Sequence, residues 1–320
     1  MKNIMRSIIL GFFVFVSTVL VAQQEQQYTQ FMYNKLGLNP GYAGSTDAGC
    51  LTAIYRKQWI GLDGSPSTQM LSYNTPMLNK RVGVGLSLLR NSIGIENRIT
   101  LEGTYAYRIQ VGRGTLGIGI MASVRRRAVD WADPRLKGTQ PIGADNGITG
   151  GFQSKWLFNV GVGAYYATNR FYVGASLPRM LNNNIDFSEI GNVLSKEVNH
   201  GYLMSGLMIN VNDKIKLQPQ LLIKYAKNSP LDFDANLMAI FLDKFNVGAT
   251  YRAGGSKEVG IGESIDVIAG AQLTNNLMFA LSYDFTLSDI KSYSNGSVEA
   301  ILRYCLGKSE GKEFVNPRFF

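Results

Sequence analysis

The chain has 320 residues, 45% of them hydrophobic and 17% charged, and a formal net charge of +9 at pH 7. Two cysteines exclude a disulfide-rich scaffold and a cysteine-based metal site. The single histidine, His200, has no serine in a recognisable catalytic context beside it. We therefore expect no enzyme activity, no cofactor and no metal ion.

The first 22 residues have the features of an export signal. Lys2 and Arg6 precede an apolar run over Ile8–Val21, and Ala22 offers a small residue at the cleavage point. This run of about 14 residues is shorter than the roughly 20 of a transmembrane helix. We predict a signal peptide over residues 1–22, whose removal lowers the net charge from +9 to +7. An exported basic surface meets lipid headgroups, glycans or acidic proteins, so no nucleic-acid partner is expected.

Residues 23–48 form a segment rich in aromatic and turn-forming residues, with no strand long enough to cross a bilayer. A plain linker would not need so many aromatic side chains. We predict a periplasmic N-terminal segment that tucks into the periplasmic mouth of the structure formed by the strands that follow. Phe31, Tyr33 and Tyr42 are its candidate contacts with periplasmic partners.

From residue 49 to residue 306, short runs alternate apolar and polar residues. Leu277, Phe279 and Leu281 fall on one face of such a run, whereas Met278 and Ala280 fall on the other. A run of about ten residues is long enough for a tilted strand to cross a bilayer. We predict about 14 strands of this kind: Gly49–Gln58, Thr68–Met77, Arg81–Asn91, Arg98–Gln110, Thr115–Arg126, Lys155–Ala167, Arg170–Pro178, His200–Val211, Lys214–Ala226, Leu231–Leu242, Lys244–Ala253, Ser264–Leu273, Leu277–Leu287 and Ser297–Leu306.

The connections between these strands are alternately tight and long. Tight ones, such as Asn212-Asp213, are rich in turn formers. The longer ones are Trp59–Ser67, Ser92–Asn97, Arg127–Ser154, Arg179–Asn199, Gly254–Glu263 and Ser288–Gly296. Bacterial outer-membrane barrels have short periplasmic turns and longer extracellular loops, whereas a soluble β-sandwich has no reason to sort its connections by side. We predict an all-β fold, a transmembrane antiparallel β-barrel over residues 49–306 with a periplasmic tail at 307–320.

Alternation also assigns the charged residues of the strands to the barrel lumen, because charge on the lipid face costs about 2–4 kcal/mol at the midplane. Both signs are present in comparable number, which favours pairs across strands that fill the interior. A conducting or substrate-binding pore is the alternative. The predicted luminal residues are Arg56, Glu102, Arg108, Lys216, Lys224, Asp232, Asp234, Arg252, Asp266, Asp284, Glu299 and Arg303.

The loop Trp59–Ser67 is a candidate extracellular binding surface. It contains Trp59, Ile60, Asp63 and Pro66, and tryptophan is enriched at the energetic centres of protein interfaces. The alternative is a loop folded onto the barrel rim, with Trp59 in the interfacial aromatic belt.

Three consecutive arginines, Arg125, Arg126 and Arg127, come just before the longest extracellular loop. Guanidinium groups bind phosphate and carboxylate in a bidentate manner. The phosphates of lipopolysaccharide or an acidic segment of a secreted protein are therefore candidate ligands, and an ordinary solvated charge run is the alternative.

The two cysteines open the first strand and close the last. When a barrel closes, these strands pair antiparallel, and alternation places both Cys50 and Cys305 on the inner face. A disulfide across this seam is geometrically possible in an oxidising compartment. Two small buried thiols are the alternative.

Several motifs resemble those of the PorP/SprF family of type IX secretion membrane proteins. They are Tyr28-Thr29-Gln30-Phe31-Met32-Tyr33-Asn34, Asn39-Pro40-Gly41-Tyr42-Ala43-Gly44, Arg56-Lys57-Gln58-Trp59-Ile60-Gly61, Gly64-Ser65-Pro66-Ser67-Thr68-Gln69, Val82-Gly83-Val84-Gly85-Leu86-Ser87 and Asn316-Pro317-Arg318-Phe319-Phe320. The resemblance implies an outer-membrane accessory that helps to export a large adhesin used in gliding or attachment, and holds it at the surface by its C-terminal domain.

The resemblance also implies contact with periplasmic lipoproteins of the secretion machinery. We expect the tail residues Arg318, Phe319 and Phe320 to contribute to this contact. The contrasting function is a general porin or small-solute channel.

Overall fold

A computed structural model describes residues 25–136, 151–187, 195–227, 229–254 and 262–306. Within them, 15 β-segments form one antiparallel sheet, which closes because β1 pairs with β15 and β10 pairs with β11. The segments are β1 (Cys50–Lys57), β2 (Ser67–Met77), β3 (Val82–Ile93), β4 (Glu96–Val111), β5 (Gly114–Asp130), β6 (Phe152–Ala167), β7 (Phe171–Leu177), β8 (His200–Leu207), β9 (Ile209–Asn210), β10 (Ile215–Ala226), β11 (Asp232–Phe241), β12 (Phe245–Ala253), β13 (Ser264–Gln272), β14 (Leu277–Thr286) and β15 (Ser297–Cys305).

The segments β8 and β9 both pair with β10 and lie on one strand path interrupted at Met208. The described residues therefore form a closed antiparallel barrel of 14 strands, and the predicted fold is confirmed. No helix within the described ranges is long and apolar enough to cross a membrane.

One predicted loop is a tight turn instead. The strands β3 and β4 pair as far as Ile93 and Glu96, which leaves only Gly94 and Ile95 between them. Gly94 has a φ angle of +54°, a conformation that glycine adopts without steric cost. The expectation of a longer connection over Ser92–Asn97 was wrong, because the polar residues at the ends of both strands continue the β3–β4 ladder.

The barrel has two different ends. We call the end with the turns that follow β2, β4, β6, β9, β11 and β13 the turn end; β1 begins there at Cys50 and β15 ends there at Cys305. The opposite end, which has the connections after β1, β5, β7, β12 and β14, is the loop end. Short turns face the periplasm in bacterial outer-membrane barrels, so we assign the loop end to the cell surface.

The core lies inside the barrel, between the strands and the N-terminal segment. Three short helical turns, Phe31–Tyr33, Lys35–Leu38 and Pro40–Tyr42, occupy the lumen. Outward side chains remain exposed to the bilayer, as for Ile120 at 59% exposure. The largest buried apolar cluster joins this segment to the inward face of the wall; its members include Phe31, Leu36, Tyr42, Tyr165, Tyr172, Met204, Met238 and Ile268.

Candidate functional site: a plugged barrel

Residues 25–48, which we call the plug, cross the lumen from one end to the other. At the loop end, the Glu25 carboxylate lies 2.9 Å from the Arg179 guanidinium and 3.3 Å from that of Arg125. At the turn end, the Asp47 carboxylate lies 2.6 Å from the Lys80 ammonium. The sequence analysis expected this segment only in the periplasmic mouth, whereas the structure extends it to the surface side.

The plug is fixed near its beginning by a carboxylate of the wall. The two oxygens of Glu299 each accept one backbone N–H of the plug, from Thr29 at 3.0 Å and from Gln30 at 2.9 Å. The Arg56 guanidinium donates to Glu299 at 3.2 Å and to the Thr29 hydroxyl at 2.7 Å. Arg56 and Glu299 face each other across the β1–β15 seam, so the seam that closes the barrel also holds the plug.

A network of paired charges surrounds this contact. Arg252 lies opposite Asp234 in the β11–β12 ladder, with 3.0 Å between guanidinium and carboxylate. The same guanidinium donates to the backbone carbonyl of Tyr28 in the plug at 3.2 Å. Lys224 reaches Asp234 at 3.0 Å, and Arg56 reaches Asp284 at 2.6 Å. These charges are thus paired across strands inside the lumen, which is the structural arrangement that the mixed signs favoured.

In the half of the barrel nearer the turn end, the plug backbone lies directly on glycines of the wall. A Cβ atom added to Gly83 would overlap the carbonyl of Ala43, and one added to Gly119 would overlap the carbonyl of Pro40. The Asn39 side chain donates to the backbone carbonyl of Ala164 at 2.9 Å. Because backbone approaches backbone here, the wall follows the shape of this particular segment.

Lys35 lies in an aromatic cage at the same level. Its ammonium stands 3.9 Å from the ring centroid of Tyr172, and the Tyr165 and Tyr42 rings lie at 6.0 and 5.7 Å. The sequence analysis did not single out Lys35, Tyr165 or Tyr172, although the inward position of both tyrosines was a readable signal.

At the loop end, the Trp59–Pro66 loop is tied to its neighbours. Ile60 and the loop before β15 exchange backbone hydrogen bonds, from Ile60 N–H to the Gly296 carbonyl at 2.8 Å and from Asn295 N–H to the Ile60 carbonyl at 2.7 Å. A cleft of about 170 Å³ separates Trp59 and Pro66 from Gln26 and Gln27 of the plug. The structure therefore brings the predicted surface loop together with the start of the plug.

A family model described as Type IX secretion system membrane protein PorP/SprF matches residues 20–304. The chain belongs to this family. It is therefore a membrane protein of type IX secretion, and its barrel fold places it in the outer membrane. No curated protein sequence matches the chain significantly.

Solved structures with similar folds are outer-membrane barrels of low sequence identity. The Omp33 protein of Acinetobacter baumannii has 9% identity and a TM-score of 0.46, with 81% of this chain and 97% of that chain covered. The toluene transporter TodX of P. putida has 11% identity and a TM-score of 0.47, with 83% and 92% covered. The KdgM porin has 11% identity and a TM-score of 0.36, with 81% and 99% covered.

The aromatic residues predicted to face the periplasm lie inside this PorP/SprF barrel. Phe31 is 1% exposed and Tyr42 is 6% exposed, and both belong to the luminal core. The Tyr33 hydroxyl accepts a hydrogen bond from the Asn246 side chain at 3.2 Å. Phe31 and Tyr42 therefore offer almost no surface to a partner in this arrangement. Arg318, Phe319 and Phe320, like the whole tail and the predicted signal peptide, lie outside the described residues.

The four candidates of the extracellular loop differ in exposure. Asp63 is exposed, whereas Trp59, Ile60 and Pro66 are half-buried in the rim. The backbone carbonyl of Pro66 accepts the N–H of Gln58 at 2.9 Å, which holds the two ends of the loop together. This loop is thus an ordered surface, with Trp59 and Pro66 on the wall of the cleft.

The three consecutive arginines separate onto two faces, because β5 continues through them to Asp130. Arg125 and Arg127 point inward: Arg125 contacts Glu197 at 2.9 Å and Arg127 contacts Glu96 at 2.8 Å. Arg126 alone of the three points outward, opposite Trp156 of β6. Of the three candidate ligand-binding arginines, Arg125 and Arg127 are therefore paired with carboxylates inside the barrel, and Arg126 lies on the outward face because alternation along β5 continues through the run.

Cys50 and Cys305 face each other in the β1–β15 ladder and are joined by a disulfide, with 4.0 Å between their Cα atoms. Both residues are buried. This covalent link lies at the turn end of the seam whose other end contains Arg56 and Glu299.

Proposed function

We propose that this protein is a non-catalytic accessory of type IX secretion that holds a large secreted adhesin at the cell surface through the adhesin's C-terminal domain. The observation that supports this proposal is the plug. A barrel whose lumen is filled from Glu25 to Asp47 presents two protein surfaces, one at each end, in place of a solute pathway.

The loop-end rim is the surface we assign to the adhesin. It is ordered by backbone hydrogen bonds between two loops, and its cleft combines Trp59 and Pro66 with the polar Gln26 and Gln27. A rigid aromatic residue beside adaptable amides is a composition found at protein-binding hot spots. The turn end and the tail 307–320 would then contact the periplasmic lipoproteins of the machinery.

Affinity capture tests the docking step directly. The purified full-length protein is immobilised in detergent, and the C-terminal domain of an adhesin from the same bacterium is the probe. We expect a Trp59→Ala variant to weaken binding at least tenfold, and a Trp156→Ala variant, which loses a tryptophan from the lipid face, to bind like the wild type. Equal binding by all three proteins would contradict the rim assignment.

Conductance in planar bilayers tests the contrasting channel function. We expect the wild-type protein to show no steady current without partners, because the plug fills the lumen. Steady porin-like conductance of the wild-type protein would refute the accessory proposal and favour the channel.

A further inference from the structure

The outward face of the barrel contains two arginines beside each other near the loop end. Arg90 of β3 and Arg126 of β5 both pair directly with Ile99 of β4, so they flank the same residue. Neighbouring strands lie about 4.8 Å apart, which places the two backbones about 10 Å from each other. The two arginines therefore form a pair on the surface that contacts lipid.

The outward residues on β3, β4 and β5 change from apolar to polar at the level of Arg90 and Arg126. Toward the turn end, outward positions are apolar, as for Leu88 on β3, Leu101 on β4 and Val124 on β5. Toward the loop end, the next outward positions on β3 and β4 are Ser92 and Asn97. The arginines thus stand where the apolar band of the barrel ends, and their long side chains can extend into the headgroup layer.

Two exposed aromatic side chains of β6 lie beside Arg126 of this arginine pair. Trp156 lies directly opposite Arg126 in the β5–β6 ladder and is 67% exposed. The Arg126 guanidinium stands 5.5 Å from the ring centroid of Phe152, which is 60% exposed. Exposed aromatic rings near the end of the apolar band are typical of the interfacial belt of a barrel. The aromatic belt therefore lies at the same membrane boundary that the two arginines indicate.

The positive charge of the pair is not neutralised by the part of the chain that the structure describes. Among those residues, Arg90 and Arg126 form no ion pair, whereas the inward arginines Arg125 and Arg127 do. A pair of guanidinium groups that has no counter-charge among the described residues, at the headgroup level of the surface leaflet, fits a phosphate, which arginine binds in a bidentate manner.

We propose that Arg90 and Arg126 bind the phosphate groups of a phosphorylated glycolipid in the outer leaflet, with Trp156 and Phe152 against its sugar and upper acyl chains. The site is separate from the rim assigned to the adhesin, because it lies on the lipid face of the barrel.

Native mass spectrometry of the full-length protein in detergent tests the site with diphosphorylated lipid A, the same lipid without its phosphates, and phosphatidylglycerol as probes. We expect the phosphorylated glycolipid to bind at least tenfold more tightly than either other lipid. An R90Q/R126Q variant should lose at least tenfold in that affinity, while Arg113→Gln, a matched change in a turn-end connection, should leave it unaltered. Equal affinity of the double variant, or of the dephosphorylated lipid, would overturn the site.

Two further arms separate the sources of the anion and keep the test independent of the variants. Inorganic phosphate or an acidic peptide that displaces lipid A as effectively as lipid A itself would overturn the lipid assignment. Titration of the folded wild-type protein with lipid A should change a fluorescence component that is absent from Trp156→Phe. An identical response in both proteins would also overturn the proposal. The adhesin is absent from every arm, so failure here leaves the proposed function untouched.

Discussion

The close contact between Gly119 and the plug gives the most direct test of the plugged lumen. A Gly119→Ala substitution adds one methyl group that overlaps the carbonyl of Pro40. Non-bonded carbon atoms rest about 3.5–4.0 Å apart, so the plug must retreat by roughly 1 Å or more to accommodate the methyl group. Overpacking of this kind costs about 1–3 kcal/mol. We expect the free energy of unfolding to fall by that amount.

The matched control is Gly103→Ala on the neighbouring strand β4. Gly103 faces outward, and a Cβ atom there has no atom within 4 Å. Both variants therefore add the same methyl group to a glycine of the wall, and only one adds it under the plug. We expect Gly103→Ala to unfold within about 0.5 kcal/mol of the wild type, as surface substitutions generally do.

Two measurements are needed, because loosening of the plug and weakening of the barrel are different outcomes. Urea unfolding in lipid vesicles gives the free energy, and planar-bilayer recording detects opening of the lumen. We expect Gly119→Ala to show intermittent current that the wild type and Gly103→Ala lack. If Gly119→Ala is silent and as stable as Gly103→Ala, the reasoning that the wall is fitted to the plug is refuted.

Three further predictions follow from the plug and the seam. Glu299→Gln should lower the free energy of unfolding by about 3 kcal/mol, because it removes a charged acceptor of two backbone N–H groups of the plug. Asp243→Asn, whose partner Lys216 is partly exposed, should cost under about 1 kcal/mol. Equal costs of the two substitutions would contradict the role of Glu299 in holding the plug. Burial opposes ionisation of Glu25, but Arg125 and Arg179 lower its pKa below 4.5 overall. Its contribution to stability is therefore complete well above pH 4.5 and declines as the pH falls below 4.5 toward the folded-state pKa. The difference in unfolding free energy between wild type and Glu25→Gln should be constant above pH 6 and shrink steadily from pH 5 down to pH 3 without vanishing there. A difference that stays independent of pH down to 3 would refute the assignment. Mass spectrometry without reductant should find the peptides that contain Cys50 and Cys305 linked to each other. Replacing both cysteines with serine should lower the free energy of unfolding by about 2–4 kcal/mol. Two free thiols in the wild type would exclude the bond.

The strand pattern was readable because the two faces of this wall meet different surroundings. In the strand Leu277–Thr286, the outward residues face lipid, whereas inward Met278 packs in an apolar cluster with Tyr28 and inward Asp284 pairs with Arg56, so the period of two is sharp. Boundaries were less readable where polar residues continue the ladder. β5 extends to Asp130 and not to Arg126, because a strand that rises above the bilayer has no need of an apolar face.

The path of the plug was not readable from its own sequence. The turn formers around Asn39 and Pro40 predict an irregular segment, and its aromatic residues predict burial, but neither property states where the segment lies. Its position depends on partners far away in the chain, such as Glu299, which is 269 residues from Gln30. Contacts over that distance in sequence leave no local pattern.

The wall, in contrast, contained a signal for the plug that alternation alone makes visible. Gly83 on β3, Gly117 and Gly119 on β5 and Gly163 on β6 all fall on the inward face. Glycine weakens a strand interior unless another backbone approaches closely, so four inward glycines on one side of a barrel predict an occupant there. At each of these positions the atom nearest to an added Cβ belongs to residues 39–43 of the plug. A water-filled lumen would not require glycines at these inward positions. Their presence on this wall is the strongest argument that the plug belongs to the resting structure.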